Sequence, residues 1–209
     1  AEFTQTWPQY RDARLSPQRI EAGRRAYAQN RSLLEAIQSR HGVNGRVVVA
    51  IWGLETNYGG FTGNFNVIEA LATLAWEGRR AAFFRGELMA ALRILDAGHV
   101  DVSRMRGSHA GAMGNPQFMP TSFERLAVDF DGDGRRDIWD TRADALASIA
   151  NYLSHHGWRE PAPWGFEVAL PPGFDTALAD HRRMRPVAEW SRMRVVPAGG
   201  GRLPDLGGE

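Results

Sequence analysis

The sequence contains neither cysteine nor lysine, and these two absences exclude several kinds of chemistry. Without cysteine there is no disulfide framework, no thiol nucleophile and no thiolate zinc site. A lipid-modified N-terminal cysteine is equally excluded in the sequence as given. Without lysine, there is no Schiff base and no phosphate-binding lysine of the kinase or P-loop type. All 25 basic residues are arginines.

Long hydrophobic runs and an excess of one charge are also missing. The longest apolar run, residues 47–54, is far shorter than the roughly 20 residues of a membrane-spanning helix, so we expect no membrane span. The 24 acidic and 25 basic residues leave a net charge of +1, which provides no field to hold nucleic acid. The chain begins at Ala1, which fits removal of a signal peptide and equally fits a trimmed sequence. We expect a soluble protein without a nucleic-acid partner.

Length and composition predict one folded core with, at most, a small satellite. A chain of 209 residues with 43% hydrophobic residues is typical of a globular protein. Apolar residues at helical spacing predict helices over residues 16–41, 66–74, 80–97 and 143–155. The run 47–55 is compatible with a strand or with a buried helix, and its spacing does not separate the two.

The composition changes in the C-terminal part of the chain. From Pro161 onward proline, glycine and arginine become frequent. Short apolar pieces at 166–170 and 195–196 have the composition of small strands. We therefore expect a small β-containing part that follows a mainly helical one.

An aspartate-rich loop is the sharpest local signal. Asp129, Asp131 and Asp133 alternate with other residues, a glycine stands at the sixth place of the loop, and Asp140 at the twelfth. This pattern is typical of the calcium loop of EF-hands, in which hard oxygen ligands surround a hard cation. The loop departs from the pattern with aspartate instead of glutamate at its end and arginine at its eighth place, and Asp144 could reach back instead of Asp140. The alternative is a solvated Asp/Gly turn without metal.

Glu55 is the candidate catalytic residue. It follows the apolar run directly and precedes the pair Gly59 and Gly60. If the run is a helix, the carboxyl lies at the negative end of the helix dipole and among apolar residues. Both features raise its pKa toward the value that a general acid needs near neutral pH. The alternative is a surface glutamate that ends an ordinary helix.

A glycine-rich segment, residues 107–120, combines small residues with methionine, phenylalanine, a hydroxyl and an amide. Such a loop can line a groove in which the backbone approaches a ligand closely and a few polar groups orient it. A packed glycine-rich turn is the alternative.

Three motifs of this chain resemble, in sequence and in order, those of a known enzyme family. They are Ile-Trp-Gly-Leu-Glu-Thr-Asn-Tyr-Gly over residues 51–59, the segment 107–122, and Ala-Val-Asp-Phe-Asp-Gly-Asp-Gly followed by Ile-Trp-Asp within 127–140. The family is that of the lytic murein transglycosylases B, bacterial enzymes that cleave peptidoglycan, and the resemblance runs from about Phe3 to about Val196.

The resemblance implies a mainly α (α+β) fold with a lysozyme-like catalytic core, a calcium-loop insertion and a small β-containing C-terminal part. We expect the catalytic domain over residues 1–165, with the EF-hand-like loop at 129–144. The β-containing subdomain is expected over residues 166–209.

The resemblance also implies that Glu55 is the single catalytic acid. It would protonate the oxygen of the β-1,4 bond between N-acetylmuramic acid and N-acetylglucosamine, while the substrate's acetamido group stabilises the cationic centre. Glu55 would then accept the proton of the muramic acid 6-hydroxyl, and the ring would close to a 1,6-anhydro product without consuming water. The alternatives are a hydrolytic muramidase and a catalytically impaired peptidoglycan-binding protein.

Further residues are assigned by the resemblance to a sugar-binding groove and a metal site. Ser108 and Gln117 match groove residues that hydrogen-bond sugar and acetamido groups. Tyr58, Met113 and Phe118 match its apolar and aromatic walls. The implied ligands of a structural calcium ion are Asp129, Asp131, Asp133, the carbonyl of Arg135, and Asp140 or Asp144. No organic cofactor is expected, and the expected partners are peptidoglycan glycan strands in the periplasm.

Two features depart from the family pattern. His109 stands where an aromatic residue such as Trp or Phe is usual, and Asn115 where Gln is common, which predicts a more polar groove. The family usually continues with a strand and a helix that carry an Asn-Phe pair and a Tyr-Asn-x-Ser run, and this chain stops at Glu209 without them. The expectation is a C-terminal part that is incomplete, so that part of the groove's polar wall is absent.

Overall fold

A computed structural model of the chain describes residues 5–161 and 163–205. The chain divides into two compact units, Ala1–Arg159 and Glu160–Glu209, and the boundary expected from the sequence, between 165 and 166, lies a few residues later. The parts of the expected domains that fall on residues 1–4, 162 and 206–209 lie outside the described residues. None of the described helices combines the length and the apolar character that crossing a membrane requires.

The first unit is built almost entirely of helices. Its α-helices are α1 (Trp7–Arg14), α2 (Pro17–Gln29), α3 (Arg31–His41), α4 (Gly45–Thr56), α5 (Val67–Glu77), α6 (Ala81–Asp96), α7 (Pro120–Leu126) and α8 (Arg142–His155). Two short antiparallel strands, β1 (Phe65–Asn66) and β2 (Arg106–Gly107), pair with Phe65 opposite Gly107. The helices predicted over 66–74, 80–97 and 143–155 are confirmed as α5, α6 and α8.

The helix predicted over residues 16–41 is interrupted and forms α2 and α3. Asn30 ends α2 because its backbone leaves the helical region (φ −113°, ψ 17°) and its Nδ2 donates to the Ala26 carbonyl at 2.7 Å. Leu34 and Ile37 of α3 nevertheless pack into the same core as Ala26. The apolar spacing therefore continues across a break that the spacing alone did not reveal.

The ambiguous run 47–55 belongs to the helix α4. Asn44 caps this helix through Oδ1, which accepts a hydrogen bond from the Arg46 amide at 2.9 Å, and the left-handed Asn57 (φ 51°) ends it. Its buried residues recur at helical spacing. They are Gly45, Val48, Val49, Trp52, Gly53 and Thr56. Glu55 consequently lies in the last turn of α4.

Two hydrophobic cores fill the first unit. The first gathers side chains of α5, α6 and α7, among them Leu71 and Phe123. The second gathers side chains of α2, α3, α4 and α8, among them Trp52 and Leu146. The loop that leads into α7 contributes Phe118 to the first core. The cavity described below contains Phe118 and α4 residues together, so it lies where the two cores meet.

The second unit contains a small sheet, as the sequence predicted. β3 (Val168–Ala169) pairs antiparallel with β4 (Val196–Pro197), which confirms the strands expected near 166–170 and 195–196. A 3₁₀ helix (Thr176–Leu178) and the helix α9 (Val187–Arg192) connect the strands. The Arg185 guanidinium pairs with Glu189 and lies 5.9 Å from the centroid of the Trp190 ring.

Candidate active site

A cavity of about 390 Å³ opens at the C-terminal end of α4. Its lining consists of Ile51 and Glu55 from α4, Pro116, Gln117, Phe118 and Met119 from the loop before α7, Ser122 from α7, and Ile149, Tyr152 and Leu153 from α8. Most of these side chains are apolar, and only a carboxyl, an amide and two hydroxyls interrupt them. A largely apolar concavity with few polar groups is the usual form of a site for a small ligand.

Glu55 provides the only carboxyl among the described residues that line this cavity. Glu55 is exposed at the mouth of the cavity, yet partial burial against the apolar wall raises the pKa of its carboxyl, and the positive charge of Arg14 on α1 opposes this rise only in part. The environment therefore favours the protonated carboxyl to a higher pH than an ordinary glutamate permits, which suits a general acid.

Gln117, which lines the same cavity as Glu55, is held by an unusual backbone conformation and two hydrogen bonds. Its φ of 52° lies in the left-handed region, which is uncommon for a residue with a side chain. Its Nε2 donates to the Thr62 carbonyl at 3.0 Å and to the Gly114 carbonyl at 2.9 Å. Because both bonds use the amide nitrogen, the amide oxygen is left to accept a hydrogen bond from a ligand.

Phe118 lines the same cavity, and its backbone pairs with that of Met113. The Phe118 ring lies 5.5 Å from the ring of Tyr152, centroid to centroid. Met113 is completely buried (0% exposed), and its backbone exchanges two hydrogen bonds with Phe118, of 2.8 and 3.1 Å. Met113 is thus a core residue in this structure, and its expected contact with a sugar has no exposed surface to use.

Ser108 and Tyr58 lie outside the lining of this cavity. The Ser108 Oγ accepts hydrogen bonds from the amides of Ala110 (3.2 Å) and Ala112 (3.1 Å), so it shapes its own loop. The Tyr58 hydroxyl donates to the Arg19 carbonyl at 2.8 Å, and Tyr58 lines a separate groove of about 560 Å³ between α2 and α4. Contact of either side chain with a substrate stays a prediction.

The structure adds Tyr152 and Ser122, which the sequence interpretation missed. Tyr152 is 37% exposed and stacks on His156, with 4.2 Å between ring centroids. Together with Ile149 and Leu153 it has the spacing of residues three and four apart, which lie on one face of a helix. A polar aromatic residue on that otherwise apolar face was the available sequence signal.

The acidic loop brings three carboxylates together. Asp129, Asp131 and Asp144 each offer an oxygen within 4.8 Å of the others. Asp144 is fully buried, and its two oxygens accept hydrogen bonds from the amides of Phe130 (2.7 Å) and Asp137 (2.9 Å). Burial raises the pKa of Asp144, and these amides oppose that rise. The Asp144 side chain therefore anchors the loop on α8.

The other two candidate side-chain ligands have different partners. The Asp133 Oδ1 accepts a hydrogen bond from the Arg135 amide at 2.8 Å, and Asp140 forms an ion pair with Arg104. Of the two alternatives for the last ligand, Asp144 lies in the carboxylate cluster. Three converging carboxylates are a donor set that fits a hard divalent cation such as calcium.

Comparisons with known proteins reveal relatives over almost the whole chain. The family described as "Transglycosylase SLT domain" matches residues 1–207. Membrane-bound lytic murein transglycosylase B of Escherichia coli (strain K12) is 38% identical over 180 residues, which cover 81% of this chain and 48% of that protein.

Three solved structures, of two proteins, are similar to this chain in both sequence and fold. SltB3 from Pseudomonas aeruginosa in complex with NAG-NAM-pentapeptide is 51% identical with a TM-score of 0.91, over 99% of this chain and 56% of that one. The same protein has been solved in complex with NAG-anhNAM-pentapeptide, with a TM-score of 0.90. The Escherichia coli lytic transglycosylase Slt35 in complex with calcium is 31% identical with a TM-score of 0.85, over 97% of this chain and 63% of that one. This chain spans about half the length of the first two relatives.

Proposed function

The chain belongs to the transglycosylase SLT domain family, and on this basis we propose that it is a peptidoglycan lytic transglycosylase. It cleaves the β-1,4 bond between N-acetylmuramic acid and N-acetylglucosamine and forms a 1,6-anhydromuramic acid product. The observation that carries the proposal is the Glu55 carboxyl, which stands alone among the described residues of an apolar cavity and has a raised pKa. The relative SltB3, solved in complex with NAG-NAM-pentapeptide and with NAG-anhNAM-pentapeptide, supports the choice of substrate and product.

One carboxyl can perform both proton transfers of this reaction. Protonated Glu55 gives its proton to the glycosidic oxygen as the bond from that oxygen to C1 breaks, and the substrate's acetamido group stabilises the positive charge at C1. The Glu55 carboxylate then takes the proton of the muramic acid 6-hydroxyl, and the oxygen of that hydroxyl bonds to C1. No water is consumed, and Glu55 ends in its starting state. This scheme needs no second carboxyl, which agrees with the lining of the cavity.

The remaining lining residues hold the sugar. The rings of Phe118 and Tyr152 provide faces on which sugar rings rest. The Gln117 amide oxygen accepts a hydrogen bond from an acetamido N–H, since its amide nitrogen is already engaged. Ser108, on a neighbouring loop, contributes a further hydrogen bond to the sugar or its acetamido group.

We also propose that the acidic loop binds one structural calcium ion. Asp129, Asp131 and Asp144 supply the converging carboxylates, with Asp133 and the carbonyl of Arg135 as further ligands. The ion supplies positive charge that offsets the repulsion among these carboxylates and ties the loop to α8. The relative solved in complex with calcium supports the choice of metal.

The periplasm is the proposed site of action. Peptidoglycan lies outside the inner membrane of a bacterium, so an enzyme that cleaves it must act in that compartment. The curated relative is a membrane-bound lytic murein transglycosylase.

Mass spectrometry of the products tests the function. Purified peptidoglycan incubated with the chain should release muropeptides that end in 1,6-anhydromuramic acid, each lighter by one water than the hydrolytic product. Reducing-end products would instead identify a hydrolytic muramidase. Absence of any release, with retained binding to peptidoglycan, would identify a binding protein. Heat-inactivated chain is the control for spontaneous release.

The pH dependence of kcat should report the raised pKa of Glu55. A general acid must hold its proton, so we expect kcat to fall as pH rises through that pKa, at a higher pH than for an ordinary glutamate. Because Arg14 opposes the rise in pKa, Arg14→Gln should move this fall to still higher pH. Initial rates across a pH series at saturating substrate measure the pH at which kcat falls, in wild type and in Arg14→Gln. A fall that moves to lower pH in Arg14→Gln would contradict the assignment.

Tyr152→Ala should weaken substrate binding more than it slows the chemical step. Loss of an aromatic face removes about 1–2 kcal/mol of contact, which corresponds to a rise in KM of about 5- to 30-fold. The melting temperature should change little because Tyr152 is partly exposed. Trp76→Ala, which removes a 91% exposed aromatic side chain on α5, is the matched control and should leave KM unchanged. An unchanged KM in Tyr152→Ala would remove this residue from the groove.

A further inference from the structure

Asn115 holds the helix that carries Glu55. Its Oδ1 accepts a hydrogen bond from the Trp52 indole N–H at 2.8 Å, and its backbone oxygen accepts one from the Thr56 hydroxyl at 3.1 Å. Trp52 precedes Glu55 by most of one turn of α4, and Thr56 follows it directly. These two hydrogen bonds therefore fix the last turn of α4 on both sides of Glu55.

The other polar atoms of Asn115 hold residues 138–139, near the end of the acidic loop. Its Nδ2 donates to the carbonyls of Ile138 (3.2 Å) and Trp139 (2.8 Å), and its backbone amide donates to Ile138 at 2.9 Å. Ile138 and Trp139 are buried in the first core, so their carbonyls are held firmly in place. One side chain thus anchors the end of α4 to a core that α4 itself does not enter.

Close packing leaves Asn115 little freedom to move. A Cβ atom on Gly59 would lie 2.7 Å from the Asn115 Oδ1, and one on Gly114 would lie 2.7 Å from the Ile138 carbonyl oxygen. Both glycines also have positive φ, of 82° and 61°. The backbone at Gly59 approaches the Asn115 side chain this closely, and the backbone at Gly114 packs as closely on the Ile138 carbonyl that Asn115 binds, because neither glycine carries a side chain.

We propose that Asn115 is a positioning residue for the transglycosylase reaction. By fixing the last turn of α4, Asn115 keeps the Glu55 carboxyl at its place in the cavity. This inference rests on the proposed function, in which Glu55 is the acid. The last turn of a helix lacks the hydrogen bonds that continue along its interior, so it needs partners from elsewhere. A small misplacement of a catalytic group is enough to cost about 100-fold in rate. Asn115 itself need not touch the substrate.

Kinetics of Asn115→Ala on peptidoglycan provide the first test. We expect kcat to fall by about 10- to 100-fold while KM stays within about threefold, because substrate contacts remain and only the acid is misplaced. Asn115→Gln carries the same amide on a side chain that is one methylene longer than the tight site admits, so it should recover only part of kcat. Asn44→Ala is the matched control, since it removes an asparagine cap at the opposite end of the same helix. It should lower the melting temperature without changing kcat.

An NMR titration of Glu55 gives a second readout that does not require turnover. In Asn115→Ala the released last turn of α4 should lose part of its contact with the apolar wall, so the pKa of Glu55, which partial burial now raises, should move down toward its ordinary value. It should stay unchanged in Asn44→Ala. Three results would each overturn the proposal. They are a wild-type kcat in folded Asn115→Ala, a loss of kcat in Asn44→Ala equal to that in Asn115→Ala, and a pKa of Glu55 that is unchanged in Asn115→Ala. An inactive wild-type chain in which the pKa still depends on Asn115 would reject the proposed function and retain the positioning role.

Discussion

Glu55→Gln is expected to lower the rate of peptidoglycan cleavage by about three orders of magnitude or more while the chain stays folded. Glutamine has nearly the same shape as glutamate but can neither give a proton to the glycosidic oxygen nor take one from the 6-hydroxyl. Both steps of the proposed reaction therefore lose their proton carrier at once. Product release measured by mass spectrometry quantifies the loss.

The same substitution should leave the melting temperature unchanged or raise it slightly at neutral pH. Because burial raises the pKa of Glu55, the folded chain binds this proton more tightly than the unfolded chain does. The free energy of unfolding therefore falls as pH rises from the pKa of Glu55 in the unfolded chain through its pKa in the folded chain. At pH above both values the ionised carboxylate slightly destabilises the folded chain. Glutamine removes that charge. Calorimetry at neutral pH, compared with wild type, measures the shift.

Glu77→Gln is the matched control for both measurements. Glu77 is also exposed and in the last turn of a helix, but it lies on α5 and does not line the cavity. Its substitution should leave both rate and melting temperature unchanged. A Glu55→Gln variant that keeps more than about a tenth of the wild-type rate would show that another group supplies the proton.

The helices of the first unit were predictable where apolar residues recur at helical spacing among polar ones. α5, α6 and α8 are examples, because each has both a buried and a solvated face. α4 has no such contrast, since Ala50 and Leu54 are apolar although they are exposed on the groove toward α2. Only the packing of α4 distinguishes its buried stripe. α1 was missed, although the capping box between Thr6 and Gln9, which encloses Pro8 in the first turn, is a local signal.

The candidate site was predictable only where a residue type is chemically distinctive. Glu55 stands out because a carboxyl next to an apolar run is costly, and the structure gives it the expected raised pKa. Tyr152 is ordinary in its local sequence and joins Glu55 only because α8 packs on α4. Met113 matched a family motif, but the motif does not reveal which of its side chains turn into the core. Such orientations depend on contacts between distant segments.

Asp144→Asn should destabilise the chain and abolish its response to calcium. The asparagine keeps one acceptor oxygen, but its NH2 group faces a backbone N–H. In wild type that N–H donates a hydrogen bond to the second oxygen of Asp144. One unsatisfied buried group costs about 1–3 kcal/mol, which lowers the melting temperature of a chain of this size by about 2–12 °C. In wild type, calcium at about 100 times its Kd should add about 2.7 kcal/mol, or about 5–11 °C. Calorimetry with calcium and with chelator measures both effects.

Asp140→Asn separates the role of Asp144 from that of a general acidic surface. Asp140 lies in the same loop region, but its carboxylate pairs with Arg104 instead of joining Asp129 and Asp131. The variant should therefore keep the full rise in melting temperature on addition of calcium, since exposed ion pairs contribute little. A rise that is lost in Asp140→Asn and kept in Asp144→Asn would make Asp140 the ligand. No rise in wild type would remove calcium from the loop and leave Asp144 as a purely structural anchor on α8, because its two hydrogen bonds from the amides of Phe130 and Asp137 form without the metal.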